Sequence, residues 1–404
     1  MSADTLLQRI NNYANRPDPY PLYAELREAG GVVRQTDGSY LVGTYHEIND
    51  VLHDPRISSD QRNLSEPYRV AEEESHPPAF IVLDDPEHHR LRNILTRPFG
   101  PPHSPGRVDA MRSEIAKISE ELIDAFGDHK RIDVVDDFAY PLPVTVICRL
   151  LGVPRDDEPL FREWSTRMIE GADVVPGEDR TARVQASKEA REAMGDYLAD
   201  LAEQRRGKPA DDMLSAFVNE PDPAQRLTRE ELAVNAAILL LAGHETTVNL
   251  ISNGVLTLLR HPDQLERLRR DPALMPKVVE ELLRYEPPVH LVPIRTPLVD
   301  VDVAGTTVPK GVRLVLALAS GNRDPRRFSD PDRFDPARED SAHLGFGGGV
   351  HICYGAALAR VEAQIALAAL IRRLDSPRLT EDPPPYRTSA TLRGPRHLWL
   401  RGRG

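Results

Sequence analysis

The chain has 404 residues, a net charge of −12, two cysteines and 36 prolines. The acidic balance argues against a nucleic-acid partner, and two cysteines exclude a disulfide framework and suit a reducing cytoplasm. There is no N-terminal apolar run long enough for a signal peptide or membrane anchor, no repeat at solenoid periods and no low-complexity linker, so one domain over residues 1–404 is expected.

Taken in chain order, residues 20–29 read as a short helix. Residues 32–42 read as a hairpin, with Asp37-Gly38 supplying positive φ angles at the turn. Residues 54–84 are irregular and acidic at Glu72, Glu73 and Glu74, the mark of a functional loop. A helix over 86–97 puts His88 and Arg92 on one face. Further helices are expected at 108–127, 139–151, 159–171 and 181–206, the last two parted by a break at 174–177. From Leu227 a long helix begins with a Thr228/Glu231 capping box and meets no breaker but Gly243 and Gly254 until Pro262. Its middle, 236–242, is apolar on all faces, which predicts a position in the centre of the protein. Helices at 262–270 and 273–285 follow, then short strands at 299–303, 306–308 and 312–317. A strand pair is expected within 387–400. Helix dominates, with a minor sheet.

The most specific stretch runs from Phe346 to Gly355. It places Cys353 behind a glycine-rich loop, with His351 two residues before it and an alanine- and leucine-rich helix after it. Glycines 347, 348, 349 and 355 let backbone pass close to something flat. A thiolate at a helix N-terminus faces the positive end of the helix dipole. Zinc is disfavoured because only His351 and Cys353 cluster, Cys148 lying in an unrelated apolar run. No G-x-G-x-x-G register fits a phosphate cradle, and no G-x-S-x-G supports a hydrolase.

Inside the long helix, Ala242-Gly243-His244-Glu245-Thr246-Thr247 sets an acid and a hydroxyl among apolar flanks. The Ala-Gly pair leaves room for a ligand against the backbone, and a threonine hydroxyl can bend the helix by bonding a carbonyl one turn back. A zinc-protease reading of His244-Glu245 fails because position 248 is Val248.

The spacing F-G-x-G-x-H-x-C-x-G over Phe346–Gly355 resembles the haem-ligand loop of the cytochrome P450 monooxygenases. The run at 242–247 is similar to that family's oxygen-activation motif, and Glu281-x-x-Arg284 with the later Asn322-Arg323-Asp324-Pro325 and Phe334-Asp335-Pro336 is similar to its E-x-x-R helix and meander. The resemblance covers about residues 20–400, with the motifs in the family's order. The stretch 100–106, with three prolines, is longer than usual and bears on geometry beside the haem's proximal face.

The resemblance implies a mainly α fold with a minor antiparallel β part, haem b (iron protoporphyrin IX) lying between the long central helix and the cysteine-loop helix. It implies Cys353 as the iron's axial ligand, in a loop with Phe346, Gly347 and Gly355. His88, Arg92, Arg295 and His351 take the propionate positions, and Ala242 lies against the ring. Thr246 is assigned to hold the bound dioxygen and Glu245 to relay protons, while Glu281 and Arg284 lock the core to the meander. By position in the family, substrate contacts fall in 79–82 (Ile81), 174–179, Ile238, Leu241, His290, Leu291, Val292, Thr391 and Leu392. The implied activity is insertion of one oxygen atom from O2 into an apolar small organic molecule, by hydroxylation or epoxidation, in bacterial secondary metabolism. Rival readings are peroxide-driven or oxidative coupling chemistry on the same fold, and a non-catalytic haem sensor or carrier. NAD(P)H supplies electrons through a ferredoxin or flavodoxin and its reductase, and Arg360, with Arg90 and Arg97, is expected to form a basic docking patch for that partner.

Overall fold

The computed structural model describes residues 5–69, 77–101, 103–127, 131–172 and 181–401. Its main helices are α1 (Leu6–Asn11), α2 (Tyr20–Glu28), α3 (Tyr45–His53), α4 (Glu87–Thr96), α5 (Arg107–Ala110), α6 (Arg112–Asp124), α7 (Pro141–Leu151) and α8 (Glu158–Ala172). They continue with α9 (Thr181–Glu203), α10 (Met213–Val218), α11 (Arg229–Arg260), α12 (Pro262–Arg270), α13 (Met275–Tyr285), α14 (Leu318–Gly321) and α15 (Ala356–Arg373). The strands are β1 (Val32–Arg34), β2 (Tyr40–Val42), β3 (Ile57–Ser58), β4 (Arg131–Asp133), β5 (Leu291–Pro297), β6 (Val301–Val303), β7 (Thr306–Val308), β8 (Leu314–Ala317), β9 (Arg378–Leu379) and β10 (Trp399–Arg401). The acidic run Glu72–Glu74 and the break at 174–177 lie outside the described residues.

The chain divides into two compact units, one of Met1–Ala71, Glu120–Ala139 and Thr246–Gly404, the other of Glu72–Ser119 and Tyr140–Glu245. Among the described residues, the first holds every strand. Its main sheet has the order β1-β2-β8-β5-β3, antiparallel except for β2 against β8. Along β8 the side chains alternate between two cores: Val315 and Ala317 pack with Tyr23, Leu26 and Leu41, whereas Leu314 and Leu316 pack with Val42, Ile48 and Val308. The β5–β8 register slips between Val292 and Arg295, where Pro293 has no N–H for the ladder.

Three expectations need correction in this unit. In the hairpin only Gly38 has a positive φ, at 83°. Asp37 acts instead through its carboxylate, which accepts the Ser39 N–H at 2.9 Å. The C-terminal strand does not pair within 387–400. Pro395 offers no N–H, only an isolated bridge joins it to Tyr386, and β10 pairs with β4 and β9 instead. His290 is fully buried, packed at a tilt against the rings of Tyr20 and Tyr23 and bonded to the Tyr23 hydroxyl at 3.0 Å. Burial, then the nearby Arg393, Arg16 and Arg323, hold its imidazole well below the usual range, so it is a neutral core group rather than a lining one.

The apolar helix α15 also buries one acid. Glu362 is 3% exposed, and burial alone raises its carboxyl well above the usual range. Near the C-terminal end of α11, Gly254 passes close to α13 and α15: a Cβ there would stand 3.1 Å from Leu282 and Leu367.

In the second unit, α7 stops at Gly152 in the left-handed conformation, φ 91°. The helix expected over 108–127 is two helices. It breaks at Met111, whose N–H reaches back only to Val108 and Asp109. Helix α11 runs through both units and starts at the capping box, with Thr228 N–H on Glu231 Oε2 at 2.9 Å and Glu231 N–H on Thr228 Oγ1 at 3.1 Å. Its 32 residues make it about 48 Å long. It is the one described helix long and apolar enough to cross a membrane, and 67% of its apolar window is buried in the protein.

Candidate active site

Of the four glycines expected to let backbone pass close to a flat group, two face open space. A Cβ on Gly347 or Gly355 would meet nothing within 4 Å. The other two face protein: at Gly348 it would stand 2.9 Å from His53 Cε1, and at Gly349 it would overlap the Leu52 carbonyl oxygen. Gly345 is likewise pressed on α13, with the Leu283 oxygen 2.6 Å from such a Cβ. Gly347 and Gly349 sit at φ 69° and 64°, which L side chains rarely adopt. The loop therefore lies on the ends of α3 and α13 and shows its bare side at 347 and 355.

On that loop the chain tightens through the single turn Gly349–His351 and reaches Cys353, whose N–H donates to the Phe346 carbonyl at 2.9 Å. Cys353 is exposed, as are Val350 and Ile352 beside it. Gly355 is the N-cap of α15 and carries no side-chain cap, so the first N–H groups of that helix open toward the cysteine loop. An exposed thiol on a glycine-bared, partly apolar face at a helix N-terminus is a donor set that fits haem. The other cysteine does not compete: Cys148 is buried in α7, where burial pushes its thiol far up.

Helix α11 is not covered on all sides, against expectation. Ile238 and Leu241 are half-buried and Ala242 is exposed, while Ala236, Ala237, Leu239 and Leu240 are buried. Positions 238, 241 and 242 follow the i, i+3, i+4 rule, so one stripe of the helix is open. Gly243 is not part of it. A Cβ there would lie 3.8 Å from Ile147 of α7, so its room is against protein and not against a ligand. His244 points the same way, with Nε2 3.2 Å from the Tyr140 carbonyl oxygen and its ring 4.4 Å from that of Tyr140. Glu245 is 2% exposed and Thr246, next along, is half-buried.

The pair Glu281 and Arg284 is wholly buried. All five guanidinium N–H groups are used: Nε and Nη2 on the Glu281 carboxylate at 2.8 Å each, Nη1 on the Asn322 and Pro331 carbonyls at 2.9 and 2.8 Å, and Nη2 on the Arg333 carbonyl at 3.0 Å. Glu281 in turn accepts the Asp335 N–H at 2.8 Å. One ion pair thus ties α13 to residues 322–335.

These features coincide with one family. The family model described as Cytochrome P450 matches residues 31–400. The chain belongs to the cytochrome P450 family. It is 42% identical to the cytochrome P450 monooxygenase PikC of Streptomyces venezuelae, over 96% of this chain and 92% of that protein. It is 38% identical to the 6-deoxyerythronolide B hydroxylase of Saccharopolyspora erythraea, over 95% of this chain and 96% of that one. Among solved structures, ligand-free CYP164A2 of Mycobacterium smegmatis superposes with a TM-score of 0.87 at 38% identity, covering 98% of this chain and 99% of that one. This P450 is a haem enzyme, an oxidoreductase of the monooxygenase class, with the mainly α fold the sequence predicted.

The remaining positions expected at the site divide unevenly in this P450. His88 is buried on α4, its ring stacked on Phe80, with Nδ1 3.4 Å from Asp85; burial lowers its pKa. Arg92, Arg295 and His351 are half-buried. Ile81 is exposed, on a short turn whose Phe80 N–H donates to Asn235 of α11 at 2.9 Å. Thr391 and Leu392 are half-buried, but Leu291 lies in the core with Tyr23 and Leu41, and Val292 packs against the second core. Arg360 is not a lone cation: its Nε and Nη2 hold Glu280 at 2.6 and 3.0 Å, and its guanidinium lies 4.4 Å over the Phe346 ring. Arg90 pairs with Glu87 and Glu231, and Arg97 stands 3.8 Å from Glu220.

Three residues around the loop escaped the sequence reading. Glu280 joins Arg360 to His343, whose Nε2 lies 3.2 Å away and whose Nδ1 accepts the Gly345 N–H at 3.0 Å. Burial pushes the Glu280 carboxyl up, but His343 and Arg360 outweigh it and hold it at about 2. His53 reaches the loop from α3. A residue some 300 positions away gives no local signal, and a glutamate before E-x-x-R looks like any helix-surface acid.

Proposed function

We propose that Cys353 is the axial ligand of the haem iron, and that the bare face at Gly347 and Gly355 receives the ring. The observation that carries this is the placing of an exposed thiol on the only stretch of the loop where the glycines face open space rather than protein. Haem held by a thiolate supplies dioxygen cleavage once two electrons and two protons arrive. The chain's own part is to bind, orient and deliver protons. Glu245, buried, holds a proton close to Thr246, and the half-buried Thr246 hydroxyl passes it on as donor at the edge of the open stripe of α11. Ala242, His88, Arg92, Arg295, His351 and Phe346 complete the cofactor's surroundings, the four cationic or imidazole groups meeting its propionates.

The substrate is an apolar small molecule of bacterial secondary metabolism. Ile238, Leu241 and Ile81 offer it apolar, uncovered surface, and Thr391 and Leu392 offer a smaller share. Hydroxylation is the favoured reaction, in keeping with the named activity of the 6-deoxyerythronolide B hydroxylase. Electrons come from NAD(P)H in the cytoplasm through a ferredoxin or flavodoxin and its reductase. Arg360 takes part in docking with its charge already shared with Glu280, so salt weakens that step less than a lone arginine would suggest.

The deciding experiment is the spectrum of the reduced protein with carbon monoxide. Wild type is expected to give the far-red-shifted Soret band of a thiolate haem, and Cys353→His the band of imidazole ligation. An identical spectrum in the two proteins overturns the assignment.

A further inference from the structure

We propose that His53 is a positioning residue of the thiolate loop, holding the Gly349 amide from the end of α3 and so keeping Cys353 presented to the iron. The inference rests on the reading of Cys353 as the ligand. His53 is the last residue of α3 and is exposed. Its Nε2 lies 3.0 Å from the Gly349 nitrogen, and its Nδ1 lies 2.7 Å from the Asn49 carbonyl oxygen. A peptide N–H only donates and a carbonyl only accepts. Nε2 is therefore the acceptor and Nδ1 carries the proton, so the two bonds define one neutral tautomer.

The bond falls at the point where the loop is most easily changed. Gly349 is in the left-handed region and begins the turn whose Ile352 N–H returns to the Gly349 carbonyl at 3.1 Å. Cys353 follows directly, closing on Phe346. Rotation of the peptide entering Gly349 therefore re-aims everything up to the thiol, and a glycine opposes that rotation least. The other end of the loop is held by a second imidazole, His343 on the Gly345 N–H, but that ring is itself held by Glu280. The two ends differ: His343 has a buried side chain in a network, whereas His53 is exposed. Substitution at 53 can therefore release the loop without unfolding the protein.

The experiment follows the reduced, carbon-monoxide-bound holoenzyme over time, reading the rate at which the thiolate band gives way to the blue-shifted one, with urea unfolding in parallel. Loss of one hydrogen bond predicts about fivefold faster conversion in His53→Ala. His53→Gln, whose side-chain oxygen reaches the place of Nε2, restores the wild-type rate, and His53→Asn, too short, does not. The urea midpoint stays within error in all three. Conversion in His53→Ala at the wild-type rate overturns the proposal, and so does equal acceleration in the Gln and Asn variants, which would assign the effect to packing. A wild-type protein with no thiolate band fails at the earlier step and overturns the ligand assignment together with this inference.

Discussion

Replacing Arg284 by lysine tests how much of the fold hangs on one side chain. The guanidinium fills five acceptor sites in full burial: two on Glu281 and one each on the carbonyls of Asn322, Pro331 and Arg333. Lysine has three N–H donors, so at least two of these five bonds are lost, although Glu281 keeps the Asp335 N–H and the Arg333 carbonyl keeps Arg338. At roughly 1.5–3 kcal/mol for each hydrogen bond to a charged group, Arg284→Lys loses about 3–6 kcal/mol. That is a large part of the roughly 5–15 kcal/mol that holds a typical domain folded. Arg284→Ala removes all five bonds and leaves the buried Glu281 carboxylate with Arg338 alone, whose Nε lies 3.5 Å away, so its loss is larger still. The assay is urea unfolding followed by far-UV circular dichroism, with haem content read from absorbance on the same samples. Both variants are expected to unfold at lower urea and to retain less haem, alanine more severely. An Arg284→Lys protein with the wild-type midpoint and full haem content would refute the reasoning, because it would mean that residues 322–335 do not depend on these bonds.

Thr246→Ala is expected to bind haem and substrate normally but to consume NAD(P)H with release of peroxide, measured as product formed per NAD(P)H oxidised; full coupling would assign the donor role to another group. Glu280 contributes stability that is present above the ordinary carboxylate range and lost as pH falls toward its folded value of about 2, at most about 3 kcal/mol. Glu280→Gln should therefore flatten the acid limb of the stability–pH curve, and an unchanged limb would exclude it as the source. Gly243→Ala adds a methyl group at ordinary contact distance from Ile147 and removes a helix-interior glycine, so it is expected to stabilise by about 0.5–1 kcal/mol with an unchanged haem spectrum. A perturbed spectrum would place Gly243 against the cofactor after all.

Much of this was legible because its signals are local. Thr228 and Glu231 announce the start of α11 three residues apart, and the two appear in the structure as mutual hydrogen bonds. The cysteine loop is compressed into ten residues, and its spacing alone pointed to a thiolate. What was not legible depends on partners brought from afar. Composition made 236–242 look buried on every side, since an apolar residue has the same letters whether it faces core or an open stripe. Gly348 and Gly349 read as room for a ligand, but the groups that crowd them are Leu52 and His53. The strand at 399–401 was expected to find its partner nearby, yet it pairs with Arg131–Asp133, far back in the sequence. Arg360 read as a free cation because nothing in its own helix reveals Glu280 on α13.

Glu362 has a consequence that concerns protons rather than contacts. Burial inside α15 raises its carboxyl well above the usual range, whereas in an unfolded chain it ionises at the ordinary carboxylate value. Folding therefore takes up a proton at this position, and stability declines as pH rises beyond the ordinary carboxylate range, the reverse of Glu280 on the neighbouring helix. The two glutamates put opposing slopes on the same stability curve. Thermal unfolding at a pH above the ordinary carboxylate value and below the raised folded one should then release a proton to the buffer, and the measured heat should shift with the buffer's own enthalpy of ionisation.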